Sequence, residues 1–228
     1  MYKYLLFDGD DTLFDFKKTE KNAFILSLEA FDIPYSETIF ETYKTINHGL
    51  WTAFEKGEIE KSVIHERRFK DFLKALKIDK DGDALAKCYI EKLAQGSYLF
   101  EDALSLCKEL AKDHELYLCT NGFSYVQHAR FNASPIKAYF KDIFVSEDSG
   151  FQKPQKAYFD YVFERIPNFK LEEALLIGDS LSSDMMGGLN AAIKTCWYNP
   201  NHLKNDPNIP IDYEINALKA LTLIVNGK

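Results

Sequence analysis

Five short apolar runs punctuate this 228-residue chain, at 4–7, 116–119, 143–145, 174–177 and 193–197. Each is apolar or β-branched and is bounded by polar residues or glycine, the pattern of a buried strand. Between them apolar side chains recur at helical spacing, as in Leu104, Cys107, Leu110 and Ala111 or Tyr158, Tyr161, Val162 and Ile166, and a last helix is predicted over 217–225. Strands that alternate with helices build a mainly parallel sheet covered on both faces. The predicted fold class is therefore α/β, a doubly wound parallel sheet. Hydrophobic residues make up 46% of the chain and aromatics 14%, enough to fill its core.

The stretch 18–95 breaks the alternation and is helical throughout. Phe24, Leu28 and Phe31 share a face, as do Phe69, Phe72, Leu73 and Leu76, and Pro34, Gly57 and Gly82 mark the expected breaks. The chain thus divides into a core of 1–15 and 96–228 and a helical insert of 16–95. An insert that leaves directly after the first strand sits above the strand ends. It serves either as a lid that excludes water or only as a stabilising subdomain.

With 28 basic and 35 acidic side chains the net charge is -7, which argues against nonspecific binding to nucleic acid or anionic membranes. No apolar run is long enough to span a bilayer, and the chain enters its first strand without a basic leader. Cys88, Cys107, Cys119 and Cys196 form no C-x-x-C pair and read as free thiols of a reducing cytoplasm, the expected location.

Polar clusters follow four of the strands. Tyr4-Leu5-Leu6-Phe7 runs straight into Asp8-Gly9-Asp10-Asp11-Thr12; Thr120-Asn121-Gly122 follows the second strand, Lys153-Pro154 the third, and Gly178-Asp179-Ser180 with Asp184 the fourth. Ligands bind at this end of an open α/β sheet. One D-x-D in a loop is weak evidence, but four ordered clusters are hard to obtain from scattered surface charges. Clustered carboxylates tolerate one another when they share a hard cation, Mg2+ above all.

Phosphoryl transfer asks for these residue types, because it is mostly positioning and charge neutralisation. Asp8 is read as the nucleophile. Asp10 reaches the leaving oxygen as general acid/base, in a protonated form that neighbouring carboxylates favour. The Thr120 hydroxyl and the Asn121 and Gly122 amides hold phosphate oxygens at a helix N-terminus, and Lys153 is a compact cation for both phosphate and Asp8. The metal ligands are Asp8, Asp179 and the main-chain carbonyl of Asp10, with Mn2+ able to stand in for Mg2+. Asp184 orients Lys153 or a water on the metal, Asp11 makes a structural hydrogen bond, and Ser180 caps a helix. Three ionised carboxylates against Mg2+ and Lys153 leave a site near neutrality that admits a phosphate dianion. Other motifs fall away. Asp79-Lys80-Asp81-Gly82-Asp83 lacks the spacing of a calcium loop and reads as a polar turn. His65-Glu66 has Phe69 where a zinc helix needs its second His.

Together these residues resemble the haloacid dehalogenase superfamily over nearly the whole chain, as D-x-D-x-T at Asp8, T-N-G at Thr120, K-P at Lys153 and G-D-S-x-x-x-D at Gly178. The resemblance implies a Rossmann-like core with a mobile four-helix (C1-type) cap between the first two motifs. It also implies aspartyl-phosphate formation at Asp8 and hydrolysis with Asp10 returning as base. The dehalogenase branch lacks the second Asp, so Asp10 favours phosphate chemistry. Asn47-His48-Gly49-Leu50-Trp51, Glu55-Lys56-Gly57-Glu58-Ile59, Phe123 with Gln127 and Arg130, Ser146-Glu147-Asp148-Ser149-Gly150 and Thr195-Cys196-Trp197 are similar to the house-cleaning pyrimidine 5'-nucleotidases. Two departures stand out: Gly9 occupies a site where a side chain is usual and loosens the strand end, and Leu99-Phe100-Glu101-Asp102 replaces a Pro-Gly.

The specificity candidates are Phe16, Trp51, Phe54 and Tyr125, whose rings could stack on a base or simply pack cap against core, with Gln127 or Asn47 to read a pyrimidine edge. The expected function is Mg2+-dependent hydrolysis of small phosphomonoesters, chiefly pyrimidine nucleoside 5'-monophosphates (dUMP, dTMP, UMP and noncanonical analogues). The expected state is a monomer or weak homo-oligomer with no nucleic-acid or membrane partner. A sugar-phosphate or phosphoglycolate phosphatase is the alternative, with a phosphomutase behind it. A catalytically idle protein that binds a phosphorylated ligand or a partner is the alternative of another class.

Overall fold

The structure is a computed structural model that describes residues 2–226. In chain order its elements are β1 (Tyr4–Phe7), the helices α1 (Phe16–Ala30), α2 (Glu37–Glu55), α3 (Lys61–Leu76), α4 (Gly82–Ala94) and α5 (Ala103–Leu110), then β2 (Glu115–Thr120), α6 (Ser124–Ala133) and β3 (Phe140–Val145). There follow α7 (Ser146–Ser149), α8 (Lys156–Arg165), β4 (Ala174–Gly178), α9 (Met186–Asn190), β5 (Lys194–Tyr198), β6 (Tyr213–Ile215) and α10 (Leu221–Val225). The chain forms two compact units, Met1–Phe16 with Ser97–Lys228, and Lys17–Gly96.

The first unit holds one six-stranded sheet, ordered β3-β2-β1-β4-β5-β6 and parallel throughout, which is the doubly wound α/β arrangement that strand–helix alternation implies. Alternate side chains of β1 face opposite ways. Leu5 and Phe7 join Leu116, Leu118, Leu175 and Ile177 against α5, α6 and α10. Tyr4 and Leu6 join Tyr117, Cys119 and Leu176 against Tyr158, Phe159 and Val162 of α8. All four β1 side chains are fully buried, and each apolar one contributes about 1.5–3 kcal/mol by leaving water.

The chain winds outward from β1 through β2 to β3, then returns to lay β4 on the other side of β1. The crevice at the carboxyl ends of β1 and β4 is therefore a topological switch point, where ligands of open α/β sheets bind. The register Phe7↔Ile177 carries Asp8 past the strand end beside Gly178, and the Asp8 amide donates to the Ile177 carbonyl at 2.8 Å.

Some expectations change. β6 was not among the five apolar runs; its three residues are too few to show a period. The expected helix over 217–225 is a 3-10 turn at Leu218–Ala220 followed by the short α10. Gly82 stands at the edge of the expected break between α3 and α4, as the first residue of α4, because the Asp81 carboxylate caps that helix, accepting from the amides of Asp83 (2.9 Å) and Ala84 (3.1 Å). Gly9 has room for a side chain, since a Cβ there would meet only Leu118 and Phe14, at an ordinary 3.7 Å.

The second unit is helical and packs on aromatic rings. Phe24 and Tyr43 lie 4.5 Å apart between centroids, Tyr43 and Phe69 5.7 Å, and Phe69 and Tyr89 5.1 Å. Within this apolar interior the Glu20 carboxylate accepts from the Tyr43 hydroxyl (3.1 Å) and from Asn47 Nδ2 (2.8 Å). Among the described residues no helix is long and apolar enough to cross a membrane, and the four cysteines are free thiols.

Candidate active site

Lys153 organises the crevice. Its buried ammonium donates to Asp8 Oδ1 (2.7 Å), Asp184 Oδ1 (2.7 Å) and the Cys119 carbonyl (2.8 Å), so all three protons are used. Burial alone would push this ammonium towards its neutral form; Asp184 and Asp8 outweigh that and raise it above the ordinary lysine range. The loop that carries Lys153 is held by one side chain. Asn121 Nδ2 donates to the Lys153 carbonyl and Asn121 Oδ1 accepts from the Lys153 amide, both at 2.9 Å. Asn121, predicted to hold phosphate, thus also ties the second strand end to the third.

Asp8 is 8% exposed. Burial pushes its carboxyl up to about 7; Lys153 pulls against this while Asp184 and Asp10 add to it. The Thr12 hydroxyl donates to Asp8 Oδ2 at 3.3 Å. Asp179 is pushed up to about 8 by burial and by the charges of Asp8, Asp184 and Asp11. One carboxylate oxygen from each of Asp8, Asp179 and Asp184 lies within 4.8 Å of the other two, a spacing that suits a shared hard cation. Asp184 has both oxygens engaged, Oδ1 by Lys153 and Oδ2 by the Ser180 amide at 3.1 Å. Gly178 makes room for it, since a Cβ there would fall 2.2 Å from Asp184 Oδ2. Ser180 Oγ accepts from the Ser183 amide at 3.2 Å, and the Trp197 indole donates to the Asp179 carbonyl at 2.8 Å.

The Thr120 hydroxyl accepts from the Gly122 amide at 3.2 Å, two residues before α6 begins. Around Asp10 the sequence suggested further carboxylates, and the structure adds a cation. Arg130 Nη1 donates to Asp10 Oδ1 at 2.5 Å and Gln127 Nε2 to Asp10 Oδ2 at 2.7 Å. A nucleophilic carboxylate beside a fixed ammonium, a cation-sized group of oxygens and a second carboxylate two residues on can attack an electrophilic centre and shuttle a proton. In keeping with that chemistry, the sequence matches the haloacid dehalogenase-like hydrolases over residues 5–198.

The chain belongs to this family. Its haloacid dehalogenase-like relatives include YfnB of Bacillus subtilis, 45% identical over 99% of this chain and 96% of its own. The crystal structure of YfnB, bound to magnesium, superposes with a TM-score of 0.94 over 99% of each chain. Pyrimidine 5'-nucleotidase PynA of Streptococcus pneumoniae is 35% identical over 96% of this chain and 93% of its own. Pyrimidine 5'-nucleotidase YjjG of Escherichia coli is 29% identical over 96% of each. The chain is thus an enzyme, a hydrolase with phosphatases among its relatives.

Within this haloacid dehalogenase-like core, Asp8, Asp10, Thr120, Asn121, Gly122, Lys153, Asp179, Ser180 and Asp184 all stand at or just past the carboxyl ends of β1, β2 and β4, in the helical turn that follows β4, or on the loop between α7 and α8. The specificity candidates are more dispersed. Phe16 lies against Arg130, with the guanidinium 5.6 Å from its ring centre. Tyr125 on α6 is 62% exposed. Asn47, Trp51 and Phe54 belong to the helical unit, where Asn47 is buried on Glu20 and Trp51 meets Phe54 edge-on at 5.8 Å. Gln127, expected to contact a base, is instead buried and turned to Asp10. Arg130 gains a role that sequence reasoning does not give it. The signal for one was a charged residue on the buried face of the helix that follows T-N-G, one turn after Gln127.

Proposed function

We propose that this hydrolase removes phosphate from phosphomonoesters with the help of Mg2+, through an aspartyl-phosphate on Asp8, and that its substrates are pyrimidine nucleoside 5'-monophosphates. The observation that carries the reading is the buried Asp8–Lys153 pair beside Asp179 and Asp184. Asp8 Oδ2, free of the lysine, attacks phosphorus; the ester P–O bond breaks and the leaving oxygen takes a proton from Asp10. Water then attacks the phosphorus, Asp10 takes its proton, and the P–O bond to Asp8 breaks to release phosphate. Throughout, Lys153 offsets charge on Asp8 and the phosphoryl oxygens, and Thr120 with the Asn121 and Gly122 amides holds those oxygens.

The residues fit a divalent cation. Three carboxylates lie close together with one ammonium, which bonds Asp8 and Asp184 but not Asp179, and burial together with the neighbouring carboxylates raises Asp8 to about 7 and Asp179 to about 8. Asp8, Asp179 and the Asp10 carbonyl would hold the ion, with Asp184 already occupied by Lys153 and Ser180. Bound there, it would neutralise charge on the transferring phosphoryl group. Mn2+ fits the same oxygen donors.

The likeness to two pyrimidine 5'-nucleotidases supports the substrate class, with Phe16 and Tyr125 of the first unit assigned to recognition of the nucleoside. Free thiols at all four cysteines support a cytoplasmic setting. The test is phosphate release from dUMP, dTMP, UMP, sugar phosphates and phosphoglycolate, with Mg2+ and with chelator. Preference for the pyrimidine nucleotides, lost with chelator, is expected. Preference for a sugar phosphate discards the substrate and keeps the mechanism, and no turnover by folded protein favours a phospholigand-binding role.

A further inference from the structure

We propose that Gln127 and Arg130 are positioning residues for Asp10, a two-point clamp on α6 that sets the direction of its carboxylate. The inference rests on Asp10 being the proton carrier of the phosphatase reaction above. Asp10 stands on a loop, its side chain 24% exposed, and a carboxylate so placed turns freely unless something holds it. Here each oxygen has its own donor, Oδ1 from Arg130 and Oδ2 from Gln127, both supplied by one face of one helix. Two bonds to different oxygens fix the plane as well as the position of the carboxylate, which a single ion pair does not.

Both donors are themselves immobilised. The Arg130 side chain is fully buried, and its guanidinium lies 4.9 Å from the Phe14 ring centre and 5.6 Å from that of Phe16. A guanidinium removed from water in this way is costly unless a carboxylate meets it, so Arg130 and Asp10 hold each other in place. Gln127 is 2% exposed and reaches Asp10 by crossing the bare Cα of Gly122. A Cβ on Gly122 would fall 2.1 Å from Gln127 Nε2 and 2.7 Å from its Cγ. The glycine of T-N-G is thus needed for the clamp as well as for any phosphate, and it joins the phosphate loop to the proton carrier.

A clamp raises the rate only in steps that Asp10 performs, and this separates it from a bond that merely stabilises the fold. Departure of p-nitrophenolate needs little proton donation, whereas departure of a nucleoside 5'-oxygen depends on it. The experiment compares the unaltered chain with Gln127→Met, Arg130→Lys and Asp10→Asn, and with Gln127→Met/Asp10→Asn, in Mg2+. It measures the p-nitrophenol burst by stopped flow and steady-state kcat and KM on a pyrimidine nucleoside monophosphate. Gln127→Met is expected to lower kcat on the nucleotide by about tenfold or more with KM little changed. The burst rate constant is expected to fall several times less, and the loss should vanish in the Asp10→Asn background. Arg130→Lys should show the same pattern. Gln127→Met keeps the test decisive if that variant fails to fold. Equal losses in burst and nucleotide turnover, a loss that persists on top of Asp10→Asn, or an unchanged kcat would each overturn the clamp. Failure of the unaltered chain to release phosphate from either ester removes the phosphatase reading and the clamp together; turnover with any of the three contrary patterns removes the clamp alone.

Discussion

Lys153 shows how much one side chain settles at the residue scale. Its ammonium is shared among Asp8, Asp184 and a strand carbonyl, so Lys153→Met leaves two buried carboxylates without their counter-charge. Breaking a buried pair costs about 3–5 kcal/mol, and losing one fixed donor beside a developing charge costs about 10²–10³-fold in kcat. Denaturant unfolding and phosphate release measure the two separately, and a kcat within a few-fold of the unaltered chain would contradict the role given to Lys153. The identities of Asp8, Lys153 and Asp179 could be read from the chain because each directly follows a strand or its loop, and a parallel sheet brings such positions to one end. The partners of Asp10 could not. Gln127 and Arg130 stand more than a hundred residues away, and nothing in the linear pattern says which way a polar side chain on α6 turns. Gly178 and Gly122 are legible in the sequence only as motif letters; the packing shows that each leaves space for a neighbour, Asp184 and Gln127.

At the scale of elements, the strands were legible wherever they are central. β1 and β4 carry unbroken apolar runs because both faces are covered. β6, at the sheet edge, has one buried and two partly or fully exposed residues, which leaves no signal to read. The helix breaks were legible from Pro34, Gly57 and Gly82, and at Gly82 the carboxylate before it sets where the next helix begins. Asp81→Ala removes both bonds that cap α4 and is expected to lower stability by about 1 kcal/mol with kcat unchanged. Thermal unfolding and a phosphate-release assay read the two. A loss of activity at full stability would mean that α4 has a part in catalysis beyond holding its own unit together.

At the scale of the whole molecule, the crowded acidic residues of the site are what the proposed ion would relieve. Without a divalent cation Asp8 and Asp179 are raised from 3.8 to about 7 and about 8, so the folded chain holds protons that the unfolded chain has lost. Stability from these groups is full below about pH 4 and falls as pH rises through about 7–8. The melting temperature in chelator should therefore drop between about pH 5 and pH 8, and Mg2+ should shrink that drop. A flat profile in chelator would contradict the raised carboxyls. The parallel α/β class was legible in the sequence because it follows from alternation alone. The return of the chain to β4 was not, since strand order depends on which crossovers pack, and it is this return that lays Asp179 beside Asp8. The indole that anchors the Asp179 carbonyl adds one more consequence. Trp197 is almost wholly shielded from water, and the chain has only one other tryptophan, Trp51. In a Trp51→Phe background its fluorescence becomes an internal optical gauge of ion loading, one that is read with no substrate present.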